Sequence, residues 1–214
     1  MCGIFAMLGK TNVTPVLLDG LSRLEYRGYD SAGLAIITDA GRLACVRRQG
    51  KVSALKDAVK ASPLAGQIGI AHTRWATHGA PCEKNAHPHV IGDRIALVHN
   101  GIIENYKKIA SDLQLTRGDL SSDTDSEVVA AQIYKVMTTQ NCDLLTAVQQ
   151  SVKSLEGAYA LAVIDANEKD RLVATRHGSP LVIGVGAQEY FLASDVLALQ
   201  NIASEFIYLE EGDI

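Results

Sequence analysis

The chain has 214 residues, of which 47% are hydrophobic and 21% are charged, and this composition excludes an intrinsically disordered protein. Twenty basic residues against 24 acidic ones give a formal net charge of -4, which excludes the basic surface typical of nucleic-acid-binding proteins. The longest apolar run, residues 158–164, stops at Asp165 and is too short to cross a bilayer. We therefore expect a soluble protein that binds neither nucleic acid nor membrane.

The amino-terminal segment is apolar but lacks the basic region of a secretory signal, and it predicts a first strand over Gly3–Leu8. Four cysteines, Cys2, Cys45, Cys82 and Cys142, are widely spaced and form no Cys-x-x-Cys pair. Such spacing is typical of free thiols in a reducing compartment. We therefore expect a cytoplasmic protein.

Hydrophobic periodicity and turn residues divide the rest of the chain into helices and strands. A helix follows the first strand, with Thr14 as its cap, Pro15 in its first turn and Gly28 beyond its end. The further predicted elements are, in chain order, a hairpin of strands 33–38 and 42–48, a helix at 55–59, strands at 69–73 and 94–99, helices at 105–113, 125–137 and 144–155, and strands at 158–165, 172–176, 181–185, 190–193 and 205–209.

This order of elements predicts an α+β fold, in which helices lie on the outer faces of stacked antiparallel sheets. No repeat, low-complexity tract or linker divides the chain, so we expect one domain. Residues 210–214 resemble a hairpin turn that leads into a further strand. We therefore expect the chain to be part of a longer protein.

Cys2 is the first candidate for chemistry, because a small second residue allows Met1 to be removed. The new α-amine then lies on the same residue as the thiol, and an α-amine with a pKa of ~8 can accept a proton from a thiol with a pKa of ~8.5. We expect one bridging water in that transfer, because direct transfer closes a strained ring. The alternative is that Cys2 is a small buried residue at the start of a strand.

Other polar residues suit a reaction on an amino-acid amide. Asn100 and Gly101 follow a predicted strand and offer a side-chain amide and an approachable backbone N–H, the two donors of an oxyanion hole. An Asn-Gly turn is the alternative. Arg74 and Asp125 suit the carboxylate and the ammonium of an amino acid, with a surface salt bridge and a helix N-cap as their respective alternatives.

Five histidines, His72, His78, His87, His89 and His99, lie within a short stretch. His87 and His89 have the spacing of a metal-binding pair, but the segment lacks the carboxylate or thiolate ligands that a catalytic zinc site collects. Glycines near the carboxyl end match neither a phosphate-binding loop nor a dinucleotide-binding fingerprint. We therefore expect no metal and no cofactor.

Several segments, in order along the whole chain, closely resemble one family, glucosamine-6-phosphate synthase, the isomerising glutamine:fructose-6-phosphate aminotransferase. The segments begin at Cys2 (CGI), Arg23 (RLEYRGYDSAG), His72 (HTRWATHG), Asn85 (NAHPH), His99 (HNGIIEN), Thr124 (TDSE), Gly178 (GSPL) and Ala193 (ASD). The resemblance implies the four-layer αββα sandwich of N-terminal-nucleophile hydrolases and the chemistry of class II glutamine amidotransferases. It also implies that residues 1–214 are the glutaminase domain and that the sugar isomerase domains are absent from this chain.

Carried over to this sequence, the resemblance implies that Cys2 attacks the amide of L-glutamine and forms a γ-glutamyl thioester. Ammonia leaves, and water then releases glutamate. Asn100 and the backbone of Gly101 match the oxyanion hole, Arg74 matches the group that binds the substrate carboxylate, and Asp125 matches the acceptor for its ammonium.

The resemblance extends to residues around this site. Thr77 and His78 are expected to line the glutamine pocket, Arg27 and Gly28 to hold the surroundings of the nucleophile, and Trp75 to belong to the loop that closes over glutamine. In the full-length enzyme, the isomerase domains would use the ammonia to convert fructose 6-phosphate to glucosamine 6-phosphate. We expect the full-length enzyme to be a homodimer and the glutaminase domain alone to be monomeric.

Three alternatives stay open at this stage. The first is the glutaminase domain of an amidophosphoribosyltransferase-like enzyme, although the segments at 26–31 and 74–78 look more like the sugar enzyme. The second is a glutamine-binding module without turnover, in which Cys2 is only structural. The third is a metalloenzyme that uses the histidines.

Overall fold

The structure, a computed structural model, describes residues 2–76, 79–116 and 118–214. None of the helices in these ranges has the length and apolar character needed to span a membrane. The elements are, in chain order, β1 (Gly3–Leu8), α1 (Thr14–Arg23), β2 (Ser31–Thr38), β3 (Leu43–Gln49), α2 (Val52–Ala61), β4 (Gly66–Arg74), β5 (His89–Ile91), β6 (Ile95–Ile103), α3 (Tyr106–Asp112), α4 (Asp125–Gln140), α5 (Leu144–Ser151), β7 (Gly157–Asp165), β8 (Leu172–His177), β9 (Val182–Val185), β10 (Tyr190–Ala193) and β11 (Glu205–Tyr208).

The strands form two sheets. One has seven strands in the order β11-β9-β10-β1-β4-β2-β3, and the other has four strands in the order β5-β6-β7-β8. Neighbouring strands are antiparallel in both sheets. The first strand of the chain thus lies in the middle of the larger sheet, with its amino-terminal end beside the end of β4.

Side chains alternate between two environments along each central strand, as the two-residue period of a strand requires. Phe5 and Met7 on β1 pack in the cluster that includes residues of α1 and α2, whereas Ile4 and Ala6 face the second sheet. On β6, Leu97 packs with residues of α4 and Val98 faces the first sheet. The order of layers is therefore helix, sheet, sheet, helix, and the predicted αββα sandwich is confirmed.

The predicted elements lie close to the observed ones, with a few differences. Thr14 is not the cap of α1. Val13 takes that position, and the backbone N–H of Thr14 donates to the Asn12 side chain at 3.1 Å. The helix predicted at 144–155 ends at Ser151 and continues only as one 3-10 turn. The short strand β5 was not predicted, because it lies in a segment rich in His, Asn and Pro.

Candidate active site

Strand register places the candidate nucleophile. Gly3 pairs with Thr73, so Cys2 lies beside the residues that end β4. The backbone N–H of Trp75 donates to Cys2 Sγ at 3.2 Å, and the thiol lies 3.5 Å from the Trp75 carbonyl oxygen. Backbone groups, whose positions the sheet fixes, therefore hold the sulfur.

Two side chains bind the backbone of Cys2. The carbonyl oxygen of Cys2 accepts hydrogen bonds from Arg27 Nε at 3.0 Å and from Asn100 Nδ2 at 3.2 Å. Arg27 is itself fixed, because its Nη1 donates to Asp195 at 3.1 Å, and Tyr26 donates to the same carboxylate oxygen at 2.6 Å. The position of Cys2 thus depends on both sheets.

Burial raises the pKa of the Cys2 thiol, and the hydrogen bond from Trp75 and the charge of Arg74 oppose this shift only in part. The thiol is therefore neutral at rest near neutral pH. A neutral thiol is a weak nucleophile, so a reaction at Cys2 needs a base close to the sulfur.

Asn100 and Gly101 lie within a strand and not after one. β6 continues through both residues to Ile103, and Gly101 pairs with Tyr159 on β7. The prediction that they follow the strand is therefore wrong, and so is the alternative of an Asn-Gly turn. Gly101 has a φ of +128°, and a Cβ at this position would collide with the carbonyl oxygen of Ala158. Only glycine fits this strand position without strain.

Arg74 is 3% exposed at the end of β4 and donates to the carbonyl oxygens of Gly79 and Ala80 at 3.3 and 3.4 Å. The alternative of a surface salt bridge is therefore wrong. Burial lowers its pKa, and the negative charges nearby, which include Asp30 and Asp125, oppose that shift. A guanidinium with such a high ordinary pKa stays charged, so the site holds a largely desolvated cation.

Asp125 is the first residue of α4 and is 3% exposed. The N-cap of this helix is Thr124, whose side chain accepts from the backbone N–H of Glu127, so the alternative interpretation of Asp125 as the cap is wrong. One carboxylate oxygen of Asp125 accepts from the backbone N–H of Ile103 at 2.8 Å, and the other accepts from that of Ser126 at 3.0 Å. The carboxylate is thus oriented by the end of β6.

Gly28 and Trp75 form the edge of the site. Gly28 is extended, but a Cβ on it would lie 2.7 Å from the carbonyl carbon of Arg74 and 2.9 Å from the backbone nitrogen of Trp75. The glycine therefore allows close approach of the two backbones. Trp75 is 47% exposed and meets the ring of Tyr29 edge-on at 5.5 Å. The predicted pocket residues 77 and 78, Thr and His, lie outside the described residues.

Three of the predicted histidines form a buried cluster between the sheets. The rings of His72 and His87 lie 4.2 Å apart, and those of His87 and His89 lie 4.6 Å apart, measured between centroids. Burial lowers the pKa of His72 and of His89 to about 3, and it lowers that of His87 well below the usual value. All three rings are therefore neutral at physiological pH. Within the described ranges, no three His, Cys, Asp or Glu side chains are grouped so as to hold a metal ion.

Two acidic residues near the site were not predicted. Asp195 holds Arg27, and its only signal in the sequence was its place in the segment that begins at Ala193. Asp30 accepts from the backbone N–H of Ala76 at 2.6 Å and so fixes the strand end beyond Arg74. Neither acid has a spacing pattern that reveals its partner.

Comparison with known proteins agrees with this geometry. Residues 72–201 match the family model described as "Glutamine amidotransferase domain". The whole chain is 56% identical to glutamine–fructose-6-phosphate aminotransferase (isomerizing) of Pseudomonas syringae pv. tomato and 52% identical to that of Legionella pneumophila, and it spans 35% of the length of each.

Among solved structures, glutamine phosphoribosylpyrophosphate amidotransferase of B. subtilis, complexed with ADP and GMP, superimposes with a TM-score of 0.81 at 26% identity. The match covers 98% of this chain and 45% of that one. This likeness confirms the fold expected for an N-terminal-nucleophile amidotransferase. Because the family model covers more than half of the sequence, the chain belongs to the glutamine amidotransferase domain family.

Proposed function

We propose that the chain hydrolyses the side-chain amide of L-glutamine to glutamate and ammonia, with Cys2 as the nucleophile. The observation that carries this proposal is the convergence of four chemically distinct groups from different elements. They are the Cys2 thiol before β1, the Arg74 guanidinium at the end of β4, the Asn100 carboxamide on β6 and the Asp125 carboxylate at the start of α4.

The charged pair suits the head group of the substrate. The planar guanidinium of Arg74 binds the α-carboxylate of glutamine in a bidentate manner, and Asp125 accepts from its α-ammonium. Both side chains are buried, and the low dielectric around them screens their charges less than water does. Their contacts with the substrate are therefore stronger than they would be at the surface. Trp75, half-exposed beside Tyr29, belongs to the loop that closes over the bound substrate and excludes water.

The first chemical step is attack of Cys2 Sγ on the amide carbon of glutamine. Removal of Met1 would expose an α-amine on Cys2, and this amine takes the proton of the thiol. Such a base is needed because the raised pKa of the thiol keeps it neutral at rest. The carbonyl oxygen becomes an oxyanion, and the Asn100 side-chain N–H and the Gly101 backbone N–H donate to it. Arg27 and Gly28 keep the nucleophile and the end of β4 in register.

The second half of the reaction releases both products. The tetrahedral intermediate collapses to a γ-glutamyl thioester, and the protonated α-amine returns its proton to the leaving nitrogen, which departs as ammonia. A water molecule, deprotonated by the same amine, attacks the thioester. The carbon–sulfur bond breaks, glutamate leaves, and the thiol is restored.

We further propose that residues 1–214 form one glutaminase domain of a longer, cytoplasmic enzyme. The support is that the chain spans only 35% of the curated relatives, which are named for the use of fructose 6-phosphate. In that enzyme, the ammonia would pass to sugar isomerase domains and yield glucosamine 6-phosphate, and the complete protein would be a homodimer. The 214 residues alone would be monomeric and would not act on the sugar phosphate.

The two other amidotransferase-related alternatives are less well supported. Identity to the fructose 6-phosphate enzyme is 56%, against 26% to the phosphoribosylpyrophosphate enzyme, which favours the amino-sugar reaction. A glutamine-binding module without turnover needs no thiol beside an amide and a cation.

The deciding experiment measures intact mass and glutamate release from glutamine for the wild-type chain, Cys2→Ala and Cys45→Ala. Cys45 is the matched control because its thiol is free and burial raises its pKa to about 11. We expect wild type and Cys45→Ala to lack Met1 and to release glutamate, and Cys2→Ala to release none. Wild-type protein that lacks Met1 and binds glutamine without turnover would refute hydrolysis and identify a binding module.

A further inference from the structure

His72 makes a hydrogen bond that fixes its tautomer. The ring lies on β4, 1% exposed, and its Nε2 is 2.9 Å from the carbonyl oxygen of His99 and 3.1 Å from Asn100 Oδ1. A backbone carbonyl oxygen only accepts hydrogen bonds. Nε2 must therefore carry the proton, and it donates toward both neighbours.

The tautomer in turn fixes the orientation of the Asn100 carboxamide. Its oxygen and nitrogen have nearly the same shape, so the network of partners decides which atom points where. Because His72 Nε2 is a donor, the atom of Asn100 that faces it must be the oxygen. The amide nitrogen then points the other way, toward Cys2, whose carbonyl oxygen accepts from it at 3.2 Å.

The surroundings of His72 keep this arrangement constant. Its ring packs against that of His87, with the centroids 4.2 Å apart and the ring planes tilted by 32°, and no described residue forms a hydrogen bond with its Nδ1. Burial lowers its pKa to about 3. The ring therefore stays neutral, with its single proton on Nε2, across the pH range in which enzymes of this kind work.

We propose that His72 is a positioning residue of the glutaminase site, which turns the amide N–H of Asn100 toward the reacting carbon by donating to its oxygen. The proposal rests on the function proposed above. Rotation of the carboxamide by half a turn would present its oxygen, and not its N–H, to the developing oxyanion. His72 opposes that rotation, because its protonated Nε2 cannot accept a hydrogen bond from the amide nitrogen that would then face it. In this proposal His72 acts through Asn100 and not by contact with the substrate.

Two substitutions separate the hydrogen bond from the shape of the ring. His72→Phe keeps an aromatic ring against His87 but removes the donor, and His72→Gln restores an N–H near the position of Nε2. Because loss of one oxyanion donor typically lowers kcat by ~100-fold or more, we expect His72→Phe to lose about that factor with KM for glutamine within about twofold of wild type. His72→Gln should recover at least ~10-fold of that loss.

The matched control is His87→Phe, the same substitution at a neighbouring buried ring that gives no hydrogen bond to Asn100. It should keep kcat within about threefold of wild type. In an Asn100→Ala background, His72→Phe should cost less than about twofold further, because its target is already gone. Far-UV circular dichroism and urea unfolding of each variant confirm that folded protein is compared.

Three results with these variants would overturn the proposal. They are a similar loss in His87→Phe and His72→Phe, no recovery in His72→Gln, or a full additional loss from His72→Phe in the Asn100→Ala background.

Nitrogen-15 NMR of the wild-type chain tests the same idea without any variant, since we expect a protonated Nε2 and an unprotonated Nδ1 on His72. The opposite tautomer would refute it. Failure of the proposed function gives a different signal, which is the absence of glutamate release from the wild type, and the tautomer can still be read in that case.

Discussion

The buried histidine cluster predicts that the fold weakens in mild acid. His72, His87 and His89 have pKa values far below their usual range in the folded protein, mainly because burial disfavours the charged ring. In the unfolded chain each ring titrates near ~6.5. Below that pH the unfolded state binds protons that the folded state does not, so the free energy of unfolding falls as the pH falls.

The size of the effect follows from the number of rings. Between about pH 7.5 and about pH 5.5, each histidine that stays neutral in the folded state removes ~1.4 kcal/mol of stability, and the three together remove ~4 kcal/mol. Small domains have ~5–15 kcal/mol in total. Glu127 and Asp125 favour protonation of His89, and Arg47 and Arg74 oppose it, but burial is the largest influence.

Urea unfolding followed by far-UV circular dichroism at several pH values measures this slope. The range above about pH 5.5 isolates histidines, because carboxylates with ordinary pKa values of ~4 are still ionised there. His87→Phe removes one titrating ring, and neither of its ring nitrogens has a hydrogen-bond partner among the described residues. This variant should therefore lose only ~2.7 kcal/mol over the same range.

A surface variant provides the control for this measurement. Gln140→Ala changes an exposed side chain that has no titratable group, and it should leave the wild-type slope in place. A wild-type change below ~1 kcal/mol between the two pH values, or a full slope in His87→Phe, would refute the argument that these rings stay neutral in the folded chain.

Three further substitutions test separate contacts. Gly101→Ala forces a Cβ into the Ala158 carbonyl and should cost at least ~2 kcal/mol and abolish glutamate release, and a thermal unfolding temperature equal to that of wild type would contradict this. Asp195→Asn weakens the hold on Arg27 and should lower kcat by ~10-fold with the fold intact, whereas unchanged kinetics would show that Cys2 needs no support from this side. Asp143→Ala removes the N-cap of α5 and should lower the thermal unfolding temperature with kcat unchanged, and a loss of activity would mean that this distant helix affects the site.

The sequence predicted the sheets well because their strands carry local signals. The hairpin of β2 and β3 is an example, since an Asp-Ala-Gly turn joins two apolar segments and Gly41 takes a φ of +74°. β5 lacked such a signal. It is a strand only because His89–Ile91 pairs with β6, and a pairing between segments is not visible in the composition of either one.

The candidate site likewise contains residues that the sequence predicted and residues that it did not. Cys2, Arg74, Asn100 and Asp125 were predicted from the chemistry of their side chains and from the segments, similar to one known family, in which they lie. Asp195 was not given a role, because its partner Arg27 lies 168 positions away and no spacing rule connects the two. The sequence also did not predict that Asn100 lies within a strand. β6 extends past Asn100 because β7 pairs with it as far as Ile103, and such a pairing between distant segments leaves no local signal.

The position of the site explains why activity and stability should be linked in this protein. The Cys2 thiol is held by the end of β4 in one sheet, and its carbonyl is held by Asn100 from the other sheet. A strand that slipped by one residue would turn every side chain to its opposite face and would separate these groups. The contact that spans the sheets, from His72 to Asn100, lies in the cluster whose burial makes the fold acid-sensitive. Protonation that loosens the cluster should therefore end catalysis before it unfolds the outer helices.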